Sequence, residues 1–295
     1  MIHVIGKHNR HLYADILEDM YRIRHKIFVE TKGWVALARE DGREIDEFDN
    51  DETTYFLKLS QDMEILGGMR IYPTTGNTQL NTFFADRCQL KPAPLHKDHY
   101  EWSRYFIVEP NHRDPRTRAA VHVELYLGIF EYVETMGIHS LSGFIEMPTF
   151  MHTLRMPWHV DQLGVPAEYG GTNGEPIGVG LPVQVWVDKS MIQKTRKAWH
   201  CKKAVLSASF GEFTPYNEAG YSAEIIHKVS AFMHEHPAHV GVLAAFHDCL
   251  HDPDPSVSSS ISRFVDKEIN RESMNDFSSK VLTSNVPHAG TLTLQ

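Results

Sequence analysis

Between Ala36 and Tyr55 the chain sets eight carboxylates, Glu40, Asp41, Glu44, Asp46, Glu47, Asp49, Asp51 and Glu52, against two cations, Arg39 and Arg43. Left to themselves, neighbours such as Asp46 and Asp49 repel. The run is therefore either a solvated turn or a set of carboxylates held by cations and amides brought from elsewhere. Phe48 and Trp34 give it apolar anchors, and Arg24 and Phe28 stand just upstream. Carboxylates beside aromatic faces suit a cationic small molecule, one supplying charge and the other a polarisable surface.

A second concentration of polar groups is "EWSRY", 101–105. In a regular strand Glu101 and Ser103 face one side and Trp102 and Arg104 the other. All four can serve one cleft only if the strand is bulged or lies at the cleft mouth. Arg70 closes "GGMR". An arginine on a strand commonly points to water. Here Gly67 and Gly68 permit close backbone approach, and Arg70 can pair with the loop carboxylates.

These groups must be positioned by recognisable elements. From Leu12 to Phe28 apolar residues recur at helical spacing, with Ile16, Met20, Ile23 and Ile27 on one stripe, which predicts an amphipathic helix carrying Arg24 and Phe28 on one face. "TTYFLKLS" and "EILGGMRIYPTTG" read as strands paired in a hairpin. A short helix is expected near "LNTFF", then a strand at "YEWSRYFIV". A loop leads into a helix with Pro115 near its start and Gly137 at its stop. "HSLSGFIEM" is a further strand, the stretch after it a short helix ended or kinked by the proline after Met156, and "EPIGVGLPVQVWVDK" a late strand. This order implies an α/β fold with a mixed sheet covered on both sides. After about Ala198 the character changes, which divides the chain into a domain at 1–198 and a helical extension at 199–295 with a polar tail.

Composition excludes several classes. A net charge of −9 without a concentrated basic stretch argues against nucleic acid as a partner. No apolar run reaches the roughly 18 residues that span a bilayer, and "MIHVIGKHNR" lacks the apolar core of a secretion signal, so no membrane is expected and the cytoplasm is the expected location. Cys88, Cys201 and Cys249 stand too far apart for a disulfide framework or thiolate site. "HEHPAH", 234–239, lacks a Cys or carboxylate partner at fixed spacing, and no metal is expected.

Four stretches, "YRIRHKIFVETKGW", "EIDEFDNDETTYFL", "GGMRIYPTTG" and "EWSRY", occur in the order and at about the spacing of the N-acyl-homoserine lactone synthases, the LuxI-type autoinducer synthases. The chain resembles that family over about its first 190 residues. The resemblance implies a GNAT-like twisted mixed sheet, splayed near its fourth strand to hold an acyl donor. It places Arg24, Phe28 and Trp34 around S-adenosylmethionine as substrate, with Asp46, Asp49 and Arg70 as the charged group that orders the N-terminal region. Glu101 matches the residue assigned to proton abstraction, and Ser103 and Arg104 match the rest of the strand motif. The family usually has Phe where this chain has Tyr105, whose hydroxyl needs a partner if buried. No permanently bound cofactor is implied.

The implied partner is an acyl carrier protein with its acyl-phosphopantetheine, which Arg113, Arg116 and Arg118 near a helix start could meet. Phe144, Met147, Phe150 and Met151 are candidates for the wall of the acyl tunnel and equally for simple core. Two alternatives stand beside the synthase: an acyl-CoA-dependent GNAT-type N-acyltransferase acting on another small amine, and a non-catalytic interaction protein of the same fold.

Overall fold

The computed structural model describes residues 2–7, 9–60, 62–108, 115–170, 176–202 and 205–206. Arg113, and the expected extension beyond 206 with its histidine run, lie outside the described residues.

The predicted first helix is α1 (Ala14–Arg24), preceded by a tight turn at Arg10–Tyr13 and widened into a π-helical stretch over His25–Thr31. Its buried stripe includes Leu17, Met20 and Arg24, and the π-helical stretch buries Phe28. Strands β2 (Thr54–Leu59) and β3 (Ile65–Pro73) pair antiparallel as expected. β4 (His99–Ile107), α2 (Pro115–Thr135), β5 (Ser140–Glu146), α3 (Met147–Thr153) and β8 (Gly178–Trp186) occupy the predicted segments. Gly137 stops α2 with a φ of 71°, a left-handed turn that glycine adopts at no steric cost. The helix expected at "LNTFF" is a run of turns passing into a single helical turn at Ala85–Arg87.

Among the described residues four strands and helices are additional to the sequence reading: β1 (Ile2–Ile5), β6 (His159–Gln162), β7 (Ala167–Tyr169) and α4 (Lys189–Ala198). The strands are too short to show a period. α4 is announced only by Asp188, whose side chain accepts a hydrogen bond from the Met191 N–H as an N-cap.

The strands form one sheet in the order β1-β2-β3-β4-β5-β8-β6, with β7 also paired to β8. β4 and β5 are parallel and the other neighbours antiparallel. Successive residues of β2 face opposite layers. Phe56 joins the layer under α2 with Met69, Leu125 and Phe130, whereas Tyr55 and Leu57 join the layer under α1 with Met20, Phe28 and Phe106. This period of two is what a sheet buried on both faces imposes.

Between β4 and β5 the sheet opens. The strands pair only from His99–Glu101 to Ser140–Ser142, although β4 continues to Ile107 and β5 to Glu146. A bulge bends β4 at this point. Gly68 and Arg70 on β3 stand opposite Phe106 and Ser103, so β4 carries one residue more than its partner, and Arg104 takes a φ of 55°. The Trp102 indole then packs on Gly143 of β5, where a side-chain carbon would lie 2.6 Å from the indole nitrogen and 2.8 Å from the Trp102 carbonyl oxygen. Gly68 allows the same kind of approach by the Phe106 ring. Among the described residues, no helix is long and apolar enough to cross a membrane.

Gly143→Ala would force the indole out of the splay. The expected cost is about 1–3 kcal/mol, to be read as a lower Tm, with a change in Trp fluorescence because the displaced ring is one of the five tryptophans.

Candidate active site

The acidic loop closes over a row of side chains that three strands set on one face. Tyr55 of β2, Arg70 of β3 and Ser103 of β4 are direct neighbours in the sheet register. Above them, three arginines and three carboxylates alternate in a closed ring. Arg24 donates Nε to Glu44 at 2.6 Å and both terminal nitrogens to Asp49 at 2.8 and 2.9 Å. Arg70 reaches Asp49 Oδ1 at 2.6 Å and grips Asp46 with two bonds of 2.8 and 2.7 Å. Arg104 closes the circuit, contacting Asp46 at 2.7 Å and Glu44 at 2.9 Å. Such forked pairs are the strongest hydrogen-bonded ion pairs available to side chains.

Further donors complete the ring. The Asp46 N–H donates to Asp49 Oδ2 at 3.0 Å, the Tyr55 hydroxyl to Asp49 Oδ1 at 2.9 Å, and Arg70 Nε to Ser103 Oγ at 2.9 Å. Burial alone would raise the Asp46 and Asp49 carboxyl pKa values. The Arg70 guanidinium, joined by Arg104 at Asp46 and by Arg24 at Asp49, more than reverses this and holds both below the usual carboxylate range. Both stay ionised near neutrality.

Beside the ring a cavity of about 440 Å³ runs into the opening between β4 and β5. Of the ring only Asp46 and Arg104 line it, and Ser103 stands with them. The side chains of Arg24, Glu44, Asp49 and Arg70 are at most 1% exposed and lie behind. The bulge is what turns Arg104 to the same side as Ser103, against the alternation of a regular strand. Phe28 and Trp34 also line the cavity. They stack on each other with centroids 5.0 Å apart, too close for a third ring between them. Arg104 lies 5.6 and 5.7 Å from the two ring centres, and Lys32 5.9 and 5.4 Å from them. Lys32 in turn bonds Glu146 at 2.6 Å, which also accepts from the Tyr169 hydroxyl at 2.8 Å.

Glu101 is placed differently from the residues around it. Its carboxylate accepts from the Tyr72 hydroxyl at 2.7 Å and from the Gln79 and Leu80 N–H groups at 2.9 and 3.1 Å. It is 1% exposed and sits one layer behind the wall that Gln79 forms. Burial raises its pKa despite these donors. Tyr72 also stacks on Phe48, centroids 5.2 Å apart, so the acidic loop and Glu101 are joined through one ring.

The remaining sequence candidates separate. Tyr105 lines the cavity and its hydroxyl bonds His122 Nδ1 at 2.8 Å, the partner it needs. Phe144 lines it too, stacked on Phe84 at 4.2 Å. Met147 and Phe150 pack into the core under α2, and Met151 is 49% exposed, so α3 turns these three away from the wall and presents Thr149. Arg116 and Arg118 lie exposed in the first turns of α2. Sequence reasoning passed over Glu44, Tyr55 and Tyr72 as site residues. Glu44 was visible only as one acid of eight, while the roles of the two tyrosines depend on the strand register. Among the described residues no His, Cys, Asp and Glu cluster could hold a metal ion.

Asp49→Asn leaves Arg24 and Arg70 without their shared counter-charge, and the expected loss is about 3–5 kcal/mol of stability near neutral pH. Because the folded pKa of Asp49 is depressed, its contribution is present above the unfolded value of about 3.9 and is lost as pH falls through the folded one. Urea unfolding from pH 7 to pH 2 should therefore show the gap between wild type and variant shrinking only below about pH 4.

The comparisons with known proteins agree with this architecture. A family model described as autoinducer synthase matches residues 8–174. The isovaleryl-homoserine lactone synthase of Bradyrhizobium diazoefficiens is 38% identical over 167 residues, which cover 57% of this chain and 74% of that protein. The solved structure of a CoA-dependent acyl-homoserine lactone synthase, BjaI, with SAM and isopentyl-CoA is similar with a TM-score of 0.63 and 30% identity, covering 70% of this chain and 92% of that one. MesI, also a CoA-dependent acyl-homoserine lactone synthase, gives 0.61 and 30%, covering 70% and 100%. With the sheet splayed at β4, the charged ring in place and over half its length matched, the chain belongs to the autoinducer synthase family.

Proposed function

We propose that the chain transfers an acyl group from a thioester to the α-amine of S-adenosylmethionine and closes the product to an N-acyl-L-homoserine lactone, releasing methylthioadenosine, for quorum sensing. The observation that carries this reading is the cavity itself. One end presents Asp46, Arg104 and the Phe28–Trp34 pair, while the other enters the gap between β4 and β5. The first end suits a ligand with ammonium, carboxylate and sulfonium charges beside an aromatic base. The gap suits an extended acyl thioester.

In this reading Asp46 and Arg104, fixed by the buried part of the ring, meet the ammonium and carboxylate. An α-amine with an unperturbed pKa of about 8 must lose a proton before it attacks. Glu101, whose pKa burial raises, accepts it through one water in the layer beside Gln79. Backbone N–H groups of β4 beyond Glu101, where pairing with β5 has ended, stabilise the tetrahedral oxyanion. The thiolate departs as the amide forms. The substrate's own carboxylate then attacks its γ-carbon, and the positive sulfur leaves as neutral methylthioadenosine. No protein nucleophile is required.

The carrier of the acyl group is the finer question. The family resemblance implies acyl carrier protein, whereas the similarity to BjaI and MesI, both described as CoA-dependent, supports coenzyme A. Both donors and S-adenosylmethionine are intracellular metabolites, which supports a cytoplasmic location.

The test supplies purified protein with S-adenosylmethionine and isovaleryl-CoA, or isovaleryl-acyl carrier protein, and reads lactone by mass spectrometry. Lactone and methylthioadenosine should form in equal amounts, faster from the CoA thioester, and Glu101→Gln should slow the reaction about a hundredfold or more. An acylated amine without lactone, or turnover of other small amines alone, would move the chain to the ordinary transferases.

A further inference from the structure

Towards the opening, the cavity wall is built from Met69, Trp102, Phe144 and Ile145, with the phenols of Tyr105 and Tyr126 set among them. Behind Tyr105 stands a hydrogen-bonded chain with no role in the chemistry above. The Tyr105 hydroxyl meets His122 Nδ1 at 2.8 Å, and His122 Nε2 meets His152 Nε2 at 3.3 Å. Aromatic rings enclose the pair. Tyr126 lies 4.7 Å from His122, and Trp199 stacks on His152 at 6.4 Å. Among the described residues no carboxylate faces the two imidazoles, and the charged groups near them are Arg118 and Arg155. Burial and these like charges push the His122 pKa down to about 4 and that of His152 in the same direction, so both rings are neutral.

A neutral imidazole pair can be arranged in two ways. His122 Nδ1 either accepts the phenol proton or donates to the phenol oxygen, according to tautomer. In the first case Tyr105 offers a lone pair to the cavity, in the second its O–H. A pocket wall that is otherwise apolar owes its selectivity to few such groups. The reaction steps described above do not use this one.

We infer that Tyr105 is a specificity-determining residue whose hydroxyl, backed by His122 and His152, selects acyl groups that carry a hydrogen-bonding oxygen, keto or hydroxyl, beyond the thioester carbonyl. The inference rests on the proposed synthase activity and names the donor class of that same cavity. An unsubstituted chain leaves the hydroxyl with its bond to His122 alone and its second hydrogen-bonding position unused, which is where discrimination arises.

The test measures kcat/KM for hexanoyl-CoA and its β-keto, β-hydroxy and terminal-hydroxy derivatives, with wild type and Tyr105→Phe. At least one oxygenated donor should exceed hexanoyl-CoA by about tenfold in wild type, as one net hydrogen bond allows, and the ratio should fall to about one in the variant. His122→Gln, which keeps the phenol but removes its relay, should lower the same ratio and keeps the question open to decision if Tyr105→Phe does not fold. Equal rates for all donors in wild type, or a loss in the variants shared equally by hexanoyl-CoA and its derivatives, would overturn the inference and leave the synthase reading standing. With no lactone from any donor, the synthase reading fails and the inference falls with it.

Discussion

The ring of Arg24, Glu44, Arg104, Asp46, Arg70 and Asp49 is the constraint on which the rest of the site depends. Each guanidinium lies between two carboxylates and each carboxylate between two guanidiniums, so the charges balance while most of the group is out of water. Burying such charges is expensive, and their mutual attraction offsets that only when every fork is satisfied. A ring of this kind therefore has a single workable arrangement. It ties α1, the acidic loop, β3 and β4 to one another, and it leaves Asp46 and Arg104 facing the cavity.

That ring also accounts for the irregular geometry of β4. A non-glycine residue at a φ of 55° costs of order 1–3 kcal/mol and persists only where its surroundings over-determine it. Arg104 is held by Glu44 and Asp46 from above and by the bulge opposite β3 from below. The same bend carries β4 away from β5 after three paired residues, and the Trp102 indole against Gly143 keeps the strands from closing again. One local distortion thus aims a cation at the polar end of the cavity and opens the sheet for its apolar end.

Glu101 and the Phe28–Trp34 pair are each held in contacts apart from the tasks the family resemblance implies for them. Glu101 is bound to Tyr72 and the turn at Gln79 and Leu80, and it therefore shapes the wall that carries Gln79 and Phe84 as well as holding a raised pKa. Phe28 and Trp34 lie on each other, and Arg104 and Lys32 stand beside the pair at nearly equal distances from both rings. A sulfonium or an aromatic base at this end would meet rings that already have two protein cations beside them.

Read from sequence, the amphipathic period of α1, the alternation in β2 and β3 and the four motif stretches were sufficient for the mixed sheet and for part of the cavity lining, Phe28, Trp34, Asp46, Ser103, Arg104 and Tyr105. They depend on local spacing, which the chain carries in itself. Short elements without a period, β1, β6 and β7, were not legible. Neither was the status of Glu44, since one acid among eight differs from the rest only in which arginine it meets. Tertiary structure alone decided that Asp49, Arg24 and Arg70 lie behind the wall while Asp46 and Arg104 form it, that Met147, Phe150 and Met151 turn away, and that Tyr105 is backed by two histidines. Composition and spacing determine which side chains are available; strand register and one bulge determine which of them share a space, because those depend on contacts between residues 20 to 60 positions apart.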